Sequence, residues 1–391
     1  MSVSAVSERL VRKGHKVIVF TSTSNLDTDL NVPVNQPIDV EGVEVWYFKR
    51  YEPIKKIFPF FPYLSESVGF LYTPDIKQAL NKVMPTVDLA HTQQPYIYPT
   101  YATAKSAIQN KKPLFYHQRG AFNSKRLDFR GLKKRIYIAS IEKPIMHKAI
   151  TLIALTEEER NDYRRLGVRT YCEIIPNGID PTFYHAEPEY ESLKKFKLSD
   201  NQKVILFLGR LHPTKGIDIL FKAFLKISSF FPDAVLVLAG PDECNIEEKL
   251  KHSAKGSGLE NRIIFPGMVE GRDKINLLAR ADMFCLPSIS EGFSTAVLEA
   301  MASATPVLLS SGCHFSEVES RQAGWVVEGG IDEWARKLTV LLKESELLKK
   351  TGKNARELVR TKYSLDNTVD KLEAVYIEGV NRHNAIIKHK R

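Results

Sequence analysis

The chain has 391 residues, 43% of them hydrophobic and 26% charged, and a formal net charge of +10. This composition excludes a disordered or fibrous protein, and the length exceeds the roughly 100–200 residues of one ordinary domain. No apolar run approaches the ~18 residues of a membrane-spanning helix, and the first residues lack the apolar segment of a secretory signal. We therefore expect a soluble, cytoplasmic protein with two domains.

The positive charge is concentrated in the first half of the chain. Residues 1–180 contain 26 Lys and Arg against 18 Asp and Glu, and residues 101–150 alone contain 12 against 2. A basic half predicts an anionic partner, such as an acidic lipid surface or a phosphorylated acceptor. Nucleic acid would also suit the charge, but no recognition-module pattern accompanies it, so we expect no nucleic-acid partner.

The four cysteines, Cys172, Cys244, Cys285 and Cys313, are widely scattered. None has the CxxC or Cys/His spacing of a metal site. We expect reduced, mostly buried thiols, and neither a disulfide framework nor a structural zinc ion.

The chain begins inside a predicted helix. Val3, Val6 and Leu10 are spaced for one helical face, and Gly14 ends that helix before an apolar strand at residues 16–21. A doubly wound domain normally begins with a central strand and a glycine-rich turn ahead of its first helix. Both are missing here. We expect a first domain that is truncated at its start, and the alternative is a sheet rebuilt without that strand.

Strands and helices then alternate along the chain. In the helix predicted at residues 216–231, five apolar side chains from Ile217 to Ile227 share one face. Uniformly apolar strands between such helices are typical of parallel sheets covered on both faces. The strands are predicted at residues 16–21, 151–155, 204–208, 234–239, 262–265, 283–286 and 306–310.

The alternation restarts once, which predicts the domain division. A polar segment with turn residues covers residues 176–200, and a second series opens at Val204. We assign residues 1–180 to a first domain, 200–362 to a second, and 363–391 to a C-terminal helix and basic tail that crosses back to the first domain. The predicted fold is α/β, with two facing Rossmann-like domains and parallel sheets.

The strongest motif is GRLHPTKG at residues 209–216, between a strand and an amphipathic helix. A tight turn that leads into a helix N-terminus forms an anion site from free N–H groups and the helix dipole. Arg210 adds a bidentate guanidinium and Lys215 a point charge, which together suit a diphosphate. The alternative is a pair of solvated surface cations.

A second motif, EGFSTAVLEAMASATPVLLS, covers residues 291–310. Glu291 lies in a turn, and Glu299 lies eight residues later in a helix predicted at residues 295–302. Two carboxylates so placed can bind separate hydroxyl pairs while the helix N-terminus faces a phosphate, and Gly292 allows a close backbone approach. The alternative for Glu299 is an ordinary exposed helix glutamate, because a carboxylate in so apolar a helix is rarely buried without a partner.

Together these motifs resemble the glycosyltransferase family 4 type of retaining enzymes with the GT-B fold, the group 1 glycosyl transferases. The resemblance covers nearly the whole chain and is most specific across residues 204–330, where LAGP, FPGMV, SGCHFSEVE and AGWVVE also match. In the first half, RKGHKVIVFTS, DLAH, QRGAF and PNGID resemble landmarks of the family.

The resemblance implies a role for each motif residue. Arg210 and Lys215 would bind the diphosphate of a nucleotide sugar and stabilise the leaving group in place of a metal, so we expect no metal and no other cofactor. Glu299 would bind the ribose hydroxyls and Glu291 the hydroxyls of the donor sugar. Further donor contacts would come from Gly209, Gly292, the N–H groups of Phe293 and Ser294, and the loop around Met268 near the base.

The first-domain contacts are less clear. The family usually has H-x-H where this chain has DLAHTQQ, so His91 occupies the first position and Gln93 the second. Glutamine can hydrogen-bond a sugar hydroxyl but cannot take a proton at neutral pH. We favour a structural role for His91, at the end of a strand, over a catalytic one. Both His91 and Gln93 stay candidates for contact with the sugar or the acceptor. Asn177 and Gly178 predict a turn at the domain junction.

Two other patterns have competing interpretations. Residues 50–64, RYEPIKKIFPFFPYL, and residues 123–135 are aromatic and basic, which suits an anionic membrane surface, although such a loop can also cover the domain's own core. The triplet of Asp27, Thr28 and Asp29 is a DxD pattern, which binds metal in other transferases. It lies far from the phosphate-type turns, so we expect a solvated loop.

The predicted function is transfer of a hexosyl group from a nucleoside-diphosphate sugar to a glycan or lipid-linked saccharide. We expect retention and a role in polysaccharide or glycoconjugate synthesis, with peripheral binding at the inner face of the cell membrane. The alternative is a non-catalytic nucleotide-sugar-binding or partner protein on the same fold, motivated by Gln93 and the missing strand. A glycoside hydrolase would need two carboxylates about 5–9 Å apart across one bond, whereas this pair accompanies a diphosphate-type turn.

Overall fold

A computed structural model describes residues 3–25, 28–51, 71–123, 131–185, 187–255 and 257–389. The contacts divide the chain into unit one, residues 1–176 and 369–391, and unit two, residues 177–368. Apolar strands alternate with amphipathic helices in both units, which confirms the predicted α/β class. Among the described residues, no helix combines the length and apolar character needed to cross a bilayer.

Unit one contains two main sheets rather than one. The first has the order β1-β5-β4 and the second β6-β7-β8-β9, with all neighbours parallel except the β4–β5 pair, and β2 and β3 form a short antiparallel pair. In the described part of the unit, β1 and β6 each pair on one side only. The strands are β1 Ile18–Ser22, β2 Ser24–Asn25, β3 Thr28–Asp29, β4 Pro37–Val40, β5 Val43–Phe48, β6 Ala90–Gln93, β7 Leu114–His117, β8 Thr151–Ala154 and β9 Cys172–Ile174.

One hydrophobic core joins these two sheets. It contains Phe48 from the first sheet and Leu114 from the second, and Phe20 packs edge-on against Phe48 at a centroid distance of 5.3 Å. The α-helices of the unit are Val3–Arg12, Ile76–Val83, Tyr98–Gln109, Gly131–Tyr137, Lys143–Lys148 and Glu157–Arg165, with a π-helical turn at Ile138–Glu142 and a 3₁₀ turn at Met84–Thr86.

The predicted first helix is present at Val3–Arg12. It buries Val6 and Leu10 as expected, whereas Val3, in the first turn, is 39% exposed. Gly14, with φ of +93°, ends the helix in the left-handed region that favours glycine.

The C-terminal helix Leu365–His389 crosses from unit two to unit one, as the sequence predicts. The ring of Tyr376 packs on Phe115 at 4.9 Å between centroids, and the Arg382 guanidinium donates to the Thr151 hydroxyl at 2.7 Å. Gly379 lies so close to the sheet that a Cβ there would approach the Phe115 ring to 2.4 Å. Glycine therefore permits the helix to dock on this sheet.

Unit two contains one continuous parallel sheet with the order β12-β11-β10-β13-β14-β15. From β10 the chain adds β11 and then β12 on one side, and it then crosses to the other side of β10 to add β13, β14 and β15. This makes the carboxyl ends of β10 and its neighbours a topological switch point, where ligands bind in doubly wound sheets. The strands are β10 Lys203–Leu208, β11 Ala234–Ala239, β12 Ile263–Gly267, β13 Met283–Leu286, β14 Val307–Ser310 and β15 Gly324–Val327.

The sheet of unit two is covered by helices, and β11 and β13 are buried along their whole length. The polar connection predicted at residues 176–200 lies in unit two from Asn177 onward. It contains the helix Tyr190–Leu193 and the 3₁₀ turns Pro181–Phe183 and Lys194–Phe196. The other α-helices are Ile217–Ile227, Ile246–Lys255, Gly271–Arg280, Thr295–Ala302, Glu317–Ser320, Ile331–Leu341 and Ser345–Lys362, with 3₁₀ turns at Pro213–Lys215, Glu260–Arg262 and Ser311–Cys313.

All four cysteines are free thiols. Cys285 and Cys313 are buried, and Cys172 and Cys244 are half-buried. Burial raises the pKa of the Cys172 and Cys313 thiols to about 12, so both are neutral near pH 7.

Candidate functional site

The turn after β10 is held against the strand beside it. Gly209 N–H donates to Ala239 O at 2.9 Å, and Leu211 N–H donates to Pro241 O at 2.8 Å. A Cβ at Gly240 would lie 1.9 Å from Gly209 O, so the two backbones meet at a distance that only glycine permits. The turn is therefore fixed at the carboxyl end of β10.

The same turn is joined to the segment that follows β13, the neighbour of β10 on its other side. Thr214 O accepts hydrogen bonds from Ile289 N–H at 2.9 Å and from the Ser288 hydroxyl at 3.1 Å. Gly216 adopts a φ of +66°, and a Cβ there would lie 2.1 Å from Pro287 O. Both backbone contacts bring the two predicted motifs together.

Lys215 and Glu291 form an ion pair at this junction. The Lys215 ammonium is 2.6 Å from Glu291 Oε1, and the side chains are only 17% and 8% exposed. These residues belong to different motifs, and they meet because β10 and β13 are adjacent in the sheet. A largely buried cation thus lies at the switch point with an oriented carboxylate.

Arg210 forms a separate pair on the other side of the turn. Its guanidinium is 2.8 Å from Glu243, in the loop after β11, and the two side chains are 54% and 40% exposed. The two cations expected beside Glu291 and Glu299 thus have different partners: Lys215 pairs with Glu291, whereas Arg210 pairs with Glu243. An exposed pair of this kind contributes little to stability, about 0–1 kcal/mol, so Arg210 can exchange Glu243 for another anion at small cost.

Glu299 is held by two residues that the sequence analysis does not identify. Its Oε1 accepts from the Lys274 ammonium at 2.8 Å and from the Tyr184 hydroxyl at 2.9 Å. The Glu299 side chain is 14% exposed. The expectation that a carboxylate in this apolar helix needs a partner fits these contacts, but no local signal in the sequence indicates Lys274, on the helix Gly271–Arg280.

The loop between Glu291 and Glu299 is fixed by aromatic packing and by one amide. Phe293 is 7% exposed and packs on Phe315 and Tyr363 at centroid distances of 4.8 and 5.5 Å. The Asn177 amide donates to Phe293 O at 2.9 Å, so the predicted turn at Asn177 and Gly178 holds this loop. Ser294, after Gly292, is the N-cap of the helix Thr295–Ala302 and forms no side-chain capping bond.

Met268 follows β12, two strands from β10 in the sheet. Its side chain is 66% exposed, and the preceding Gly267 has a φ of +71°. Met268 is thus an exposed apolar side chain at the same end of the sheet as the turn after β10.

His91 lies on β6 in unit one and is part of an interior network. Its Nδ1 is hydrogen-bonded to the Tyr376 hydroxyl at 2.5 Å, and its ring stacks on His117 at 5.9 Å. Burial, together with Arg119, lowers the pKa of His91 to about 3 and holds the pKa of His117 far below its usual range. Neutral imidazoles in this position favour a structural role for His91.

Gln93, at the end of β6, forms two side-chain hydrogen bonds with Arg119. The guanidinium donates to Gln93 Oε1 from Nε at 2.8 Å and from Nη2 at 2.5 Å. Because the carbonyl oxygen is occupied by these two bonds, the amide NH₂ is the part of Gln93 left to contact a ligand. Arg119 has a φ of +50°, an uncommon conformation for a residue other than glycine.

Several predicted features fall wholly or partly outside the described residues. Nearly all of the aromatic–basic stretch at residues 50–64, and residues 124–130 of the second basic stretch, are among these, as is Asp27. Asp29 is described: it pairs with Arg50 at 3.2 Å and accepts from the Thr23 hydroxyl at 2.7 Å. Asp29 therefore has a local ion-pair role.

Family models match both halves of the chain. Residues 1–183 match the model of Glycosyltransferase Family 4, and residues 189–358 match the model of Glycosyl transferases group 1. A D-inositol 3-phosphate glycosyltransferase of Corynebacterium glutamicum is 28% identical over 255 residues, which are 62% of this chain and 60% of that protein. The chain matches about half to three fifths of the length of such curated relatives.

Solved structures of GT-B glycosyltransferases share the fold of the whole chain. A sucrose-phosphate synthase from Thermosynechococcus elongatus superposes with a TM-score of 0.75 at 20% identity, over 96% of this chain and 92% of that one. HepE of Anabaena, in complex with UDP-glucose, gives a TM-score of 0.70 at 18% identity, over 93% of this chain and 100% of that one. These likenesses agree with the fold predicted from the motifs.

Proposed function

This chain belongs to the group 1 glycosyl transferases of glycosyltransferase family 4 and has the GT-B fold, and from that premise we propose that it transfers a hexosyl group from a nucleoside-diphosphate sugar. Unit two binds the donor at the carboxyl ends of β10 and β13, and residues of unit one bind the acceptor. The observation that carries this proposal is the Lys215–Glu291 pair, 2.6 Å apart and largely buried at the switch point of the sheet.

The chemistry follows from the charges at this position. In the reaction the bond between the anomeric carbon and the diphosphate oxygen breaks, and negative charge develops on the departing nucleoside diphosphate. Lys215 and Arg210 are cations at opposite sides of one turn and neutralise that charge without a metal ion. The acceptor hydroxyl bonds to the anomeric carbon, and its proton is transferred to the departing diphosphate, which serves as the base for this step.

Glu291 has a second role in this scheme. Its Oε1 is bonded to Lys215 before the donor binds. When the diphosphate attracts the Lys215 ammonium, Glu291 becomes available to accept hydrogen bonds from the donor sugar. Before the donor binds, the ion pair therefore holds both side chains close to the positions in which they act. Glu299 accepts from the ribose hydroxyls, and the N–H groups at Phe293 and Ser294 face the phosphate, where Ser294 supplies no competing cap.

The acceptor and the location are supported by charge. Residues 101–150 contain 12 basic and 2 acidic residues, which favours an anionic glycan or a lipid-linked saccharide at an anionic membrane surface. Binding to vesicles with and without anionic lipid, at low and high salt, tests this part separately, because electrostatic attraction to a membrane weakens with salt.

The experiment is a screen of nucleotide sugars by thermal stabilisation, followed by transfer of a radiolabelled sugar. A donor at 100 times its Kd adds about 2.7 kcal/mol to the free energy of unfolding. We expect Lys215→Met to reduce kcat/KM by about 100-fold, since it removes a charge that acts on the leaving group. The control is Lys222→Met, an exposed lysine on the helix that follows the same turn.

Two results would count against the proposal. If no nucleotide sugar stabilises the protein, unit two is not a donor-binding unit. If a donor binds but no sugar is released or transferred, the alternative of a non-catalytic nucleotide-sugar-binding protein is favoured.

A further inference from the structure

Glu299 is fixed from two directions within unit two. Lys274 reaches it from the helix Gly271–Arg280, and Tyr184 reaches it from the segment after the 3₁₀ turn Pro181–Phe183. Both donors end on Oε1, and among the described residues no hydrogen bond is formed with Oε2. One oxygen of the carboxylate is therefore saturated while the other is left for a ligand.

We infer that Lys274 and Tyr184 are positioning residues that hold Glu299 so that its Oε2 receives a vicinal diol, the 2′- and 3′-hydroxyls of a nucleotide ribose. This inference rests on the proposed function, because it assigns a task to residues behind the donor site. It goes beyond the motifs, since neither residue belongs to one.

Each positioning residue is itself anchored. Tyr184 O accepts from the Arg356 guanidinium at 3.3 Å, and upstream in the same segment Ile179 N–H donates to Tyr363 O at 3.1 Å. On the helix that carries Lys274, the fully buried Asn276 accepts from Glu189 N–H at 3.1 Å. Because both supports are tied to the body of unit two, Glu299 loses little rotamer freedom when a ligand binds.

The chemistry of the two donors is complementary. Burial and the adjacent Glu299 carboxylate raise the pKa of Tyr184, so the phenol stays protonated and remains a donor across the physiological range. The Lys274 ammonium neutralises the negative charge of Glu299. A neutral diol that binds to Glu299 therefore contacts a carboxylate whose charge is already balanced. Oε2 keeps its acceptor lone pairs for two hydroxyl donors.

A purely structural ion pair would affect stability but not the choice of ligand. The test is therefore ligand selectivity, measured by calorimetry with uridine, guanosine and adenosine diphosphates and with their 2′-deoxy forms. For whichever diphosphate binds the wild type, we expect Lys274→Met and Tyr184→Phe each to weaken ribonucleotide binding by about tenfold, the loss of one charge-assisted or constrained hydrogen bond. Binding of the 2′-deoxy form, which keeps only the 3′-hydroxyl, should weaken by a smaller factor than binding of the ribonucleotide.

Three comparisons keep the inference falsifiable. Lys274→Arg, which keeps the charge and the donors, should recover much of the ribose selectivity, and Lys222→Met should leave it at the wild-type value. Melting temperatures of all variants identify any that fail to fold. If Glu299→Gln loses ribose selectivity while folded Lys274→Met and Tyr184→Phe retain it, the inference is overturned and the proposed function stands. If the wild type binds none of the three diphosphates and no nucleotide sugar stabilises it, the proposed function fails.

Discussion

Unit two has one sheet of six parallel strands, whereas the strands of unit one form two main sheets of three and four. In unit two, β10 pairs on both sides and five of its six residues are buried. In the described part of unit one, β1 pairs on one side, and four of its five residues are only half-buried. In the described residues, the same alternation of strands and helices thus forms one sheet in unit two and two sheets in unit one, and a shared hydrophobic core joins those two sheets.

This difference affects the candidate sites as well. In unit two, adjacent strands bring residues 76 positions apart, Lys215 and Glu291, into contact. In unit one, His91 and Gln93 lie on β6, which is an edge strand among the described residues, and their side chains contact Tyr376 of the C-terminal helix, His117 and Arg119. Adjacent strands of unit two therefore bring its two motifs together, while the described contacts of His91 and Gln93 form a mainly structural network in unit one.

The largest expected effect tests how rigid the continuous sheet is. Gly216→Ala combines a φ of +66° with a Cβ 2.1 Å from Pro287 O, and a backbone atom at the end of β13 cannot move aside. We expect the free energy of unfolding to fall by about 2–4 kcal/mol in urea titrations, and donor binding to be lost.

The matched control is Gly258→Ala in the same unit. Gly258 has a similar φ of +70°, but no atom of the described residues lies within 4 Å of the added Cβ. It should cost only the conformational term, about 1 kcal/mol. If both variants lost the same free energy of unfolding, the turn after β10 would be able to move and accommodate the added Cβ. The proposed rigidity of the sheet in unit two would then be wrong.

The second prediction is that carboxyl groups of the two units contribute to the free energy of unfolding with opposite pH dependence. In unit one, burial raises the pKa of Glu159 and of Asp162 to about 7. Because the folded state favours the protonated carboxyls, the contribution of these two groups to the free energy of unfolding should be complete at about pH 4 and be lost as the pH rises through 7, by about 1–3 kcal/mol. In unit two, hydrogen bonds from Lys362 and Tyr363 outweigh burial and lower the pKa of Glu317, so its contribution is lost as the pH falls.

Urea titrations between pH 4 and 7.5 check this prediction. Glu159→Gln should remove much of the decrease, since an amide does not titrate, whereas Glu317→Gln should leave the decrease in place. An unchanged pH profile in Glu159→Gln would contradict the assignment of the decrease to unit one.

The smallest expected effect concerns the helix that completes unit one. Replacing glycine with alanine in an exposed helix normally stabilises it by up to about 1 kcal/mol. Gly379→Ala should instead destabilise the protein by about 1–2 kcal/mol, because the Cβ would meet the buried ring of Phe115 at 2.4 Å. The control is Asn381→Ala at an exposed position of the same helix. Stabilisation by both substitutions would show that the helix is not docked there.

The fold was largely predictable because its signals are local. Apolar runs such as residues 204–208 and 234–239 become β10 and β11, and the amphipathic pattern after Lys215 becomes the helix Ile217–Ile227. The helix Thr295–Ala302 has its predicted bounds. Residues 177–200 were harder, since a polar composition does not reveal that Asn177 and Tyr184 bond to the loop and helix of the second motif.

The amino-acid order by itself determined the α/β class, the restart of the series near Val204, and the two motifs with their charges, because periodicity, turn residues and charge are properties of short segments. Only the tertiary structure decided which charge meets which. It paired Lys215 with Glu291, Arg210 with Glu243, and Lys274 with Glu299, because strand order and helix packing set distances between residues that are far apart in the chain.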